Sequence, residues 1–594
     1  MPTLQHESAH TLAPIHSRSA GGLLGGALLA VPVLAFAVIW NYYAVNVPKW
    51  DDHALRNFLY LFDQEDTVSG KIYQFFRQHN EHRIVYDRLI AFLDYKLTGK
   101  LNFRHLMAVG NLSLVGLLLV CIGVFRREGR SPLYALPVAL ILLNLANWEN
   151  MFWGMASLQN FSVVLWVVLS IYWLTYTKRW ELAIASAVLA TLTSGNGILV
   201  WPIGAVLLIL QLSESRISSK NKFRPLIIWL CCAALILALY FTGYEKPAGN
   251  PPDRGSFTDL TKGWLAFLGA SADVLPIKSP LQNSILLGCF MAILAAGLLG
   301  WGLIRYSQSI VRSLRQLNNP KARITAKSIP AITLFFWGCV AFIIGTAAVV
   351  AWSRTGFGLD MIITSRYKIY SLTLLALLYV YCTLVGGDTL GRWIMGISLA
   401  GSILFYWASY FSFLDDTIWF RHWQTTNQFN WTYTNTQPIA TSDSITNHYT
   451  DPSPAFYDNF LPVLYGPAQS MVVPITLSKA PHGYIVETSS LLRPELLTRQ
   501  TTDADAGCYL LARSPKRSYL FPVWPNRLSL IQARLWPANQ FTNGFKADIW
   551  TAEMDAGTYH LFIVNLSNAH QCMLLATNQL ITSAGRPKDI QKNW

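Results

Sequence analysis

The sequence predicts a polytopic α-helical membrane protein that ends in a β-rich domain. Of 594 residues, 52% are hydrophobic and only 13% charged, about half the charged share of an average soluble protein. Apolar stretches recur from Gly21 to Leu414, whereas residues 415–594 have the composition of a soluble domain. Many stretches approach the ~20 residues that cross a hydrocarbon core. Only a helix satisfies its own backbone within a single span.

The elements divide into a tail at 1–20, a membrane module at 21–414 and a C-terminal domain at 415–594. The tail holds His6-Glu7-Ser8-Ala9-His10, a formal HExxH. A zinc site needs that motif on a buried helix with a third ligand, so in a short polar tail it reads as chance. About eleven spans follow, near 21–43, 106–125, 133–148, 158–177, 182–194, 197–212, 226–243, 284–304, 331–353, 369–385 and 393–414. The first is read as retained, because no small-residue cleavage site follows it. The third, fifth and sixth are short, and either sit half-embedded or lean on neighbours.

Basic residues set the orientation. Arg126, Arg127 and Arg130, then Lys178 and Arg179, then Arg216, Lys220, Lys222 and Arg224 fall in alternate loops. Arg305, Arg312, Arg315, Lys321, Arg323 and Lys327 form the last such group. With these loops cytoplasmic, the C-terminal domain is extracytoplasmic. The net charge of +14 is thus mainly a topology signal, and its scatter over loops argues against nucleic-acid binding. The chain has no CxxC, Walker loop or GxGxxG. Six cysteines lie in spans. Cys508 and Cys572 lie in the C-terminal domain, where an oxidising compartment favours a disulfide if they are close.

Polar chemistry gathers in the outer loops. The first, 45–105, opens Lys49-Trp50-Asp51-Asp52-His53 and passes Asp63, Glu65 and Asp66 to Asn80-Glu81-His82-Arg83. Val85, Leu89, Phe92 and Leu93 recur at helical spacing after it, and Ile72, Tyr73, Phe75 and Phe76 before. Such amphipathic helices lie in the interface plane, which would hold Asp51, Asp52 and Glu81 at headgroup depth. A second cluster, Trp148-Glu149-Asn150, runs on through Trp153 to Gln159-Asn160. Its aromatics form an interface belt or stack on a sugar. Asn196 sits in a Gly-Asn-Gly turn. A fourth cluster carries Arg354, Asp360, Arg366, Tyr367 and Lys368. Three cations in an outer loop run against the charge trend, and a lipid phosphate would account for them. Helix-end anchoring of Arg366 and Tyr367 is the alternative.

A first span, a long outer loop with an acidic start and interfacial helices, many further spans and an outer C-terminal domain together resemble the GT-C glycosyltransferases. Trp50-Asp51-Asp52 matches the acidic start. Arg366-Tyr367 is similar to an Arg-Tyr pair common in bacterial members. The resemblance covers about 21–414 and implies a GT-C-like fold in a bacterial plasma membrane. It implies a polyprenyl-phosphate-sugar donor and a glycan, lipid or protein acceptor. Direct displacement would follow, with Asp52 the first choice of general base, Asp51 the second, and Glu81 orienting the acceptor. Arg83, Arg354, Arg366 and Lys368 would face phosphate, with smaller parts for His82 and His53. Glu149, Asn196 and Tyr367 complete the expected substrate contacts. No Asp-x-Asp occurs in the first loop, Asp63-Gln64-Glu65 being nearest, so a divalent metal stays open. Other readings are an O-antigen polymerase or ligase using pyrophosphate-linked oligosaccharide, a transporter, or an envelope scaffold.

In the C-terminal domain, residues 415–437 are aromatic and are expected along the membrane surface. Strands are expected at Gly483–Val486, Cys508–Leu511, Ala547–Trp550 and Thr558–Val564, as in a sandwich or jelly roll. Met471-Val472-Val473 is not counted, because Pro474 interrupts it.

Overall fold

The computed structural model describes residues 20–212, 222–246, 254–275, 278–318, 328–434, 449–451, 455–490, 503–527, 541–568 and 571–585. The tail motif His6–His10 and the loop cations Arg216, Lys220, Lys321, Arg323 and Lys327 lie outside them.

The chain begins with α1 (Ala20–Tyr43). Three helices of the first loop follow, α2 (Asp52–Gln64), α3 (Val68–Phe76) and α4 (Val85–Thr98), and then α5 (Phe103–Arg127). Next come α6 (Leu136–Leu142), α7 (Trp148–Met151), α8 (Gly154–Ala156) and α9 (Ser162–Tyr172), the last two joined by a π turn. α10 (Trp180–Thr193), α11 (Val200–Gln211), α12 (Arg224–Phe241), α13 (Phe257–Leu268), α14 (Pro280–Arg305) and α15 (Ser307–Asn318) follow. α16 (Ala331–Arg354), α17 (Lys368–Val385) and α18 (Gly387–Thr434) complete the helical part.

Among the described residues, eight helical runs are long and apolar enough to cross a membrane: α1, α5, α8–α9, α12, α14, α16, α17 and α18. They coincide with eight of the predicted spans. The other three correspond to shorter pieces. α10 and α11 have 14 and 12 residues, about 21 and 18 Å of helix, and meet at the turn around Asn196. The stretch 133–148 breaks after α6, where the Asn144 side chain accepts from the Ala146 N–H at 2.8 Å. α5, α9, α16 and α17 are the most enclosed. α1, α12, α14 and α18 are the least, with Leu34, Val38, Leu235, Ile293, Ile397 and Leu404 all exposed. So broad an apolar surface calls for a lipid environment.

α18 does not stop at Leu414. It runs 48 residues, about 72 Å, more than twice a hydrocarbon core. Residues 415–434, expected along the membrane surface, instead prolong this helix toward the C-terminal domain.

That domain is a sandwich of two sheets, ordered β1-β9-β8-β4-β5 and β2-β3-β7-β6. The strands are β1 (Gln469–Val472), β2 (Thr476–Ala480), β3 (Gly483–Thr488), β4 (Gly507–Arg513), β5 (Ser518–Pro522), β6 (Trp524–Arg527), β7 (Phe541–Trp550), β8 (Gly557–Asn568) and β9 (Gln571–Ser583). The four expected strands fall in β3, β4, β7 and β8. β1 corrects the dismissal of Met471-Val472: an edge strand pairs on one side only, and it ends before Pro474. Leu510, Ala512, Phe521 and Ile563 face the other sheet. Tyr509, Leu511, Leu520 and Val564 face Phe429 of α18 and the segment 455–464. Burial on both faces explains why β4 and β5 lack apolar–polar alternation. The Asn430 side chain donates to Leu520 O at 3.0 Å and accepts from Leu520 N at 2.7 Å, so α18 pairs with the edge of β5.

Cys508 and Cys572, whose bonding the sequence leaves open, form no disulfide with each other. They lie on β4 and β9 with β8 between, and pack on opposite faces of the sheet. Two strand spacings are about 10 Å, beyond the reach of a disulfide.

Candidate functional site

The first loop, the α7–α8 segment, the α10–α11 turn, the end of α16, the start of α17 and mid-α18 meet at one end of the bundle. The meeting begins at a reversal after α1. Trp50 adopts φ +38°, costly for a bulky side chain and usually kept at functional positions. Lys49 and the two aspartates leave this reversal in different directions.

Asp52 turns inward and is fully buried. Its carboxyl accepts from the Lys49 N–H at 2.9 Å and the Met155 N–H at 2.7 Å. It thereby ties the turn that leads into α2 to the start of α8, where a local residue would usually supply the acceptor. Gly154 makes room, since a Cβ there would sit 3.1 Å from Asp52 Oδ1. Burial pushes the Asp52 carboxyl up to about 7, against the pull of its two donors.

Asp51 turns outward, its side chain 30% exposed, with His79 Nε2 at 3.8 Å. His79 and His82 close a tight turn, each accepting the other's backbone N–H. Asn80 takes φ +48° within it, a conformation asparagine tolerates. Glu81, at the tip, pairs with Arg354 and lies 3.8 Å from His82 Nε2. The Gly195 N–H donates to His82 Nδ1 at 3.1 Å, which assigns the proton to Nε2. Burial pushes the Glu81 carboxyl up, but His82 and Arg354 outweigh it and hold it below its ordinary value. Asp51's charge reaches both Glu81 and His82.

At the reversal itself stands a three-charge group. Lys49 Nζ lies 3.2 Å from Glu149, and Arg366 Nε lies 3.6 Å from the same carboxylate. The Lys49 ammonium is boxed by Trp50, Trp153 and Phe420 at 4.2–4.5 Å and by Trp423 at 5.4 Å. Burial pushes it down to about 8 despite Glu149. Arg366 also lies over Trp153, 5.6 Å from the ring centre. Asn150 donates to Arg366 O at 2.9 Å and fixes the start of α17.

The structure thus brings together Asp51, Glu81, His82, Arg354, Glu149 and Arg366, with Asp52 behind them. It commits five expected residues elsewhere. Arg83 donates to the carbonyls of Phe76, Tyr240 and Thr242, stapling the first loop to the end of α12. Lys368 is buried against Asp273 and the Phe413 ring. Asn196 donates to Tyr370 OH at 2.8 Å and to Thr346 at 3.3 Å. Tyr367 lies half-buried against Phe267, and His53 meets Arg56 in the interior.

Three participants carried no sequence signal of their own: His79, and Phe420 and Trp423 around Lys49. The aromatic density of 419–423 was visible, but nothing local pairs it with a lysine so far upstream. Among the described residues no three His, Cys, Asp or Glu side chains gather as metal ligands. Compared with models of known families, with curated proteins and with solved structures, the chain matches none.

Proposed function

We propose that this protein is a membrane glycosyltransferase of the GT-C kind, moving one sugar from a polyprenyl-phosphate donor to an extracytoplasmic acceptor. One observation carries the reading. A partly exposed carboxylate, Asp51, lies within electrostatic reach of Glu81 and His82 beside Arg354, and two residues along the chain from Lys49 of the Glu149–Arg366 group, at the bundle end where amphipathic loop helices lie. A lipid-linked donor keeps its phosphate at headgroup depth, so a site there meets it without moving the tail.

Asp51, rather than Asp52, is the base on this reading. Both Asp52 oxygens are held by backbone N–H groups, whereas Asp51 faces outward. The acceptor hydroxyl gives its proton to Asp51 and its oxygen bonds to the anomeric carbon. The bond from that carbon to the phosphate oxygen breaks, and its electron pair leaves with the phosphate. Arg354 and Arg366 each keep N–H donors beyond those facing Glu81 and Glu149, and these stabilise the departing charge. Lys49 adds a second cation against Glu149, so that group is net positive before the phosphate arrives.

Purified full-length protein is offered a panel of prenyl-phosphate hexoses and pentoses with envelope extract as acceptor. Wild type is expected to release prenyl phosphate, and Asp51→Asn to do so about 10²–10⁴ times more slowly. Failure of wild type to turn over any donor sinks the proposal. Undiminished release by Asp51→Asn sinks the assignment of the base.

A further inference from the structure

At the opposite end of the bundle, α15 carries its polarity reversed for a helix of a soluble protein. Ser309, Ser313 and Gln316 are buried. Ser313 donates to Leu210 O of α11 at 2.9 Å, and Gln316 accepts from Lys222 at 3.5 Å. Val311, Leu314 and Leu317 are exposed instead. The helix follows α14 directly, and Phe290, Ile293, Leu303 and Ile304 of α14 are exposed as well. Exposed apolar residues therefore run along a helix long enough to span a membrane and on into the short helix at its end.

The charge along this stretch of the chain has one sign. The sequence has no acidic residue between Asp273 and Asp360. Arg305 is exposed and lies over Trp301, 5.0 Å from the ring centre. Arg315 is exposed on α15, and Arg312 and Lys222 stand close enough to repel. Aromatic residues with arginine at a helix end are typical of a headgroup boundary. An apolar face flanked by cations fits an anionic lipid surface.

We propose that α15 lies in the headgroup layer of the leaflet opposite the candidate site, with Val311, Leu314 and Leu317 among the acyl chains and Arg305, Arg312 and Arg315 on anionic phospholipid headgroups. Lipid is the occupant because α15 follows directly on α14, which is long and apolar enough to span a membrane and exposes Phe290, Ile293, Leu303 and Ile304. The inference does not depend on the glycosyltransferase reading.

The test is hydrogen exchange of amides 307–318 in full-length protein. Nanodiscs of phosphatidylcholine are compared with discs that also contain phosphatidylglycerol. Exchange is expected to be slower in the anionic discs, and added salt to reduce the difference. Arg305→Gln with Arg315→Gln, both at exposed positions, should weaken that protection by about fivefold per charge removed. Leu314→Ser should speed exchange in both kinds of disc. Equal rates in the two discs, or protection unchanged by the double substitution, overturns the proposal. Protection that follows protein concentration instead of lipid charge also overturns it, and assigns the face to a second copy of the chain.

Discussion

Replacing Asp52 with asparagine should change stability in a way that depends on pH. In the folded protein its carboxyl titrates at about 7, against about 3.9 unfolded. Each pH unit between these values costs about 1.4 kcal/mol, because the folded state then holds a proton the unfolded state has lost. The stabilising part is thus complete below about pH 4 and is lost as pH rises through about 7. From pH 5 to pH 8 the wild type gives up about 3 kcal/mol through this one group. The asparagine side chain does not titrate in this range. It does replace one acceptor oxygen with an NH2 group, so either the Lys49 N–H or the Met155 N–H loses its partner. That costs about 1–3 kcal/mol at every pH. Asp52→Asn is therefore expected to match or trail the wild type near pH 5 and to exceed it near pH 8. Melting of both proteins in detergent, followed by far-UV circular dichroism across that range, reads the crossing. Parallel curves would refute the argument. A gap that widens against the variant as pH rises would also refute it, and would mean that the two donors hold Asp52 as an ion.

Three other outcomes follow from the same geometry. Lys49→Met keeps the aromatic box filled and leaves Glu149 to Arg366. It lifts the desolvation of a buried ammonium, so its melting point at neutral pH should stay within about 1 kcal/mol of wild type, while turnover of a prenyl-phosphate donor falls. Asn430→Ala leaves the backbone N–H and C=O of Leu520 unpaired beside α18, about 2–4 kcal/mol in all. Limited proteolysis should cut first within the β-sandwich of that variant. Peptide mapping after alkylation under non-reducing denaturation should find both Cys508 and Cys572 modified as free thiols.

The spans were legible because a span must be apolar over its whole length, and composition alone reports that. The break after α6 and the short α10 and α11 were less legible, because enclosure by other helices replaces length there. Strands β3, β4, β7 and β8 showed as apolar runs bounded by turn residues. β9 was missed: Asn578 and Gln579 interrupt a run of 13 residues that the pairing with β8 holds together. At the site, the acidic start of the first loop and Arg366 stood out by position. The commitment of Arg83 to three carbonyls did not, because nothing near Arg83 in sequence marks the end of α12 as its partner.

The adjacent aspartates show why residue type and position stop short of a role. Successive helical residues point about 100° apart, so at the first turn of α2 one carboxyl can face the interior while the next faces out. Burial separates them further. Asp52 gains two backbone donors and joins the turn before α2 to α8, and Asp51 stays partly exposed beside His79. An inward carboxyl that ties two elements together fixes the position of its outward neighbour to within the precision of those elements. A reacting group needs that fixity. Trp50 and Lys49 complete the same turn. The cost of the left-handed Trp50 is offset by the box it forms around Lys49 with Trp153, Phe420 and Trp423. Two of those rings belong to α18, the helix on which the β-sandwich is built through Asn430 and the Arg421–Asp505 pair at 2.7 Å. The C-terminal domain is therefore mechanically part of the site end of the bundle, and a displacement of α18 would reach Lys49 through Phe420 and Trp423 and Lys368 through Phe413.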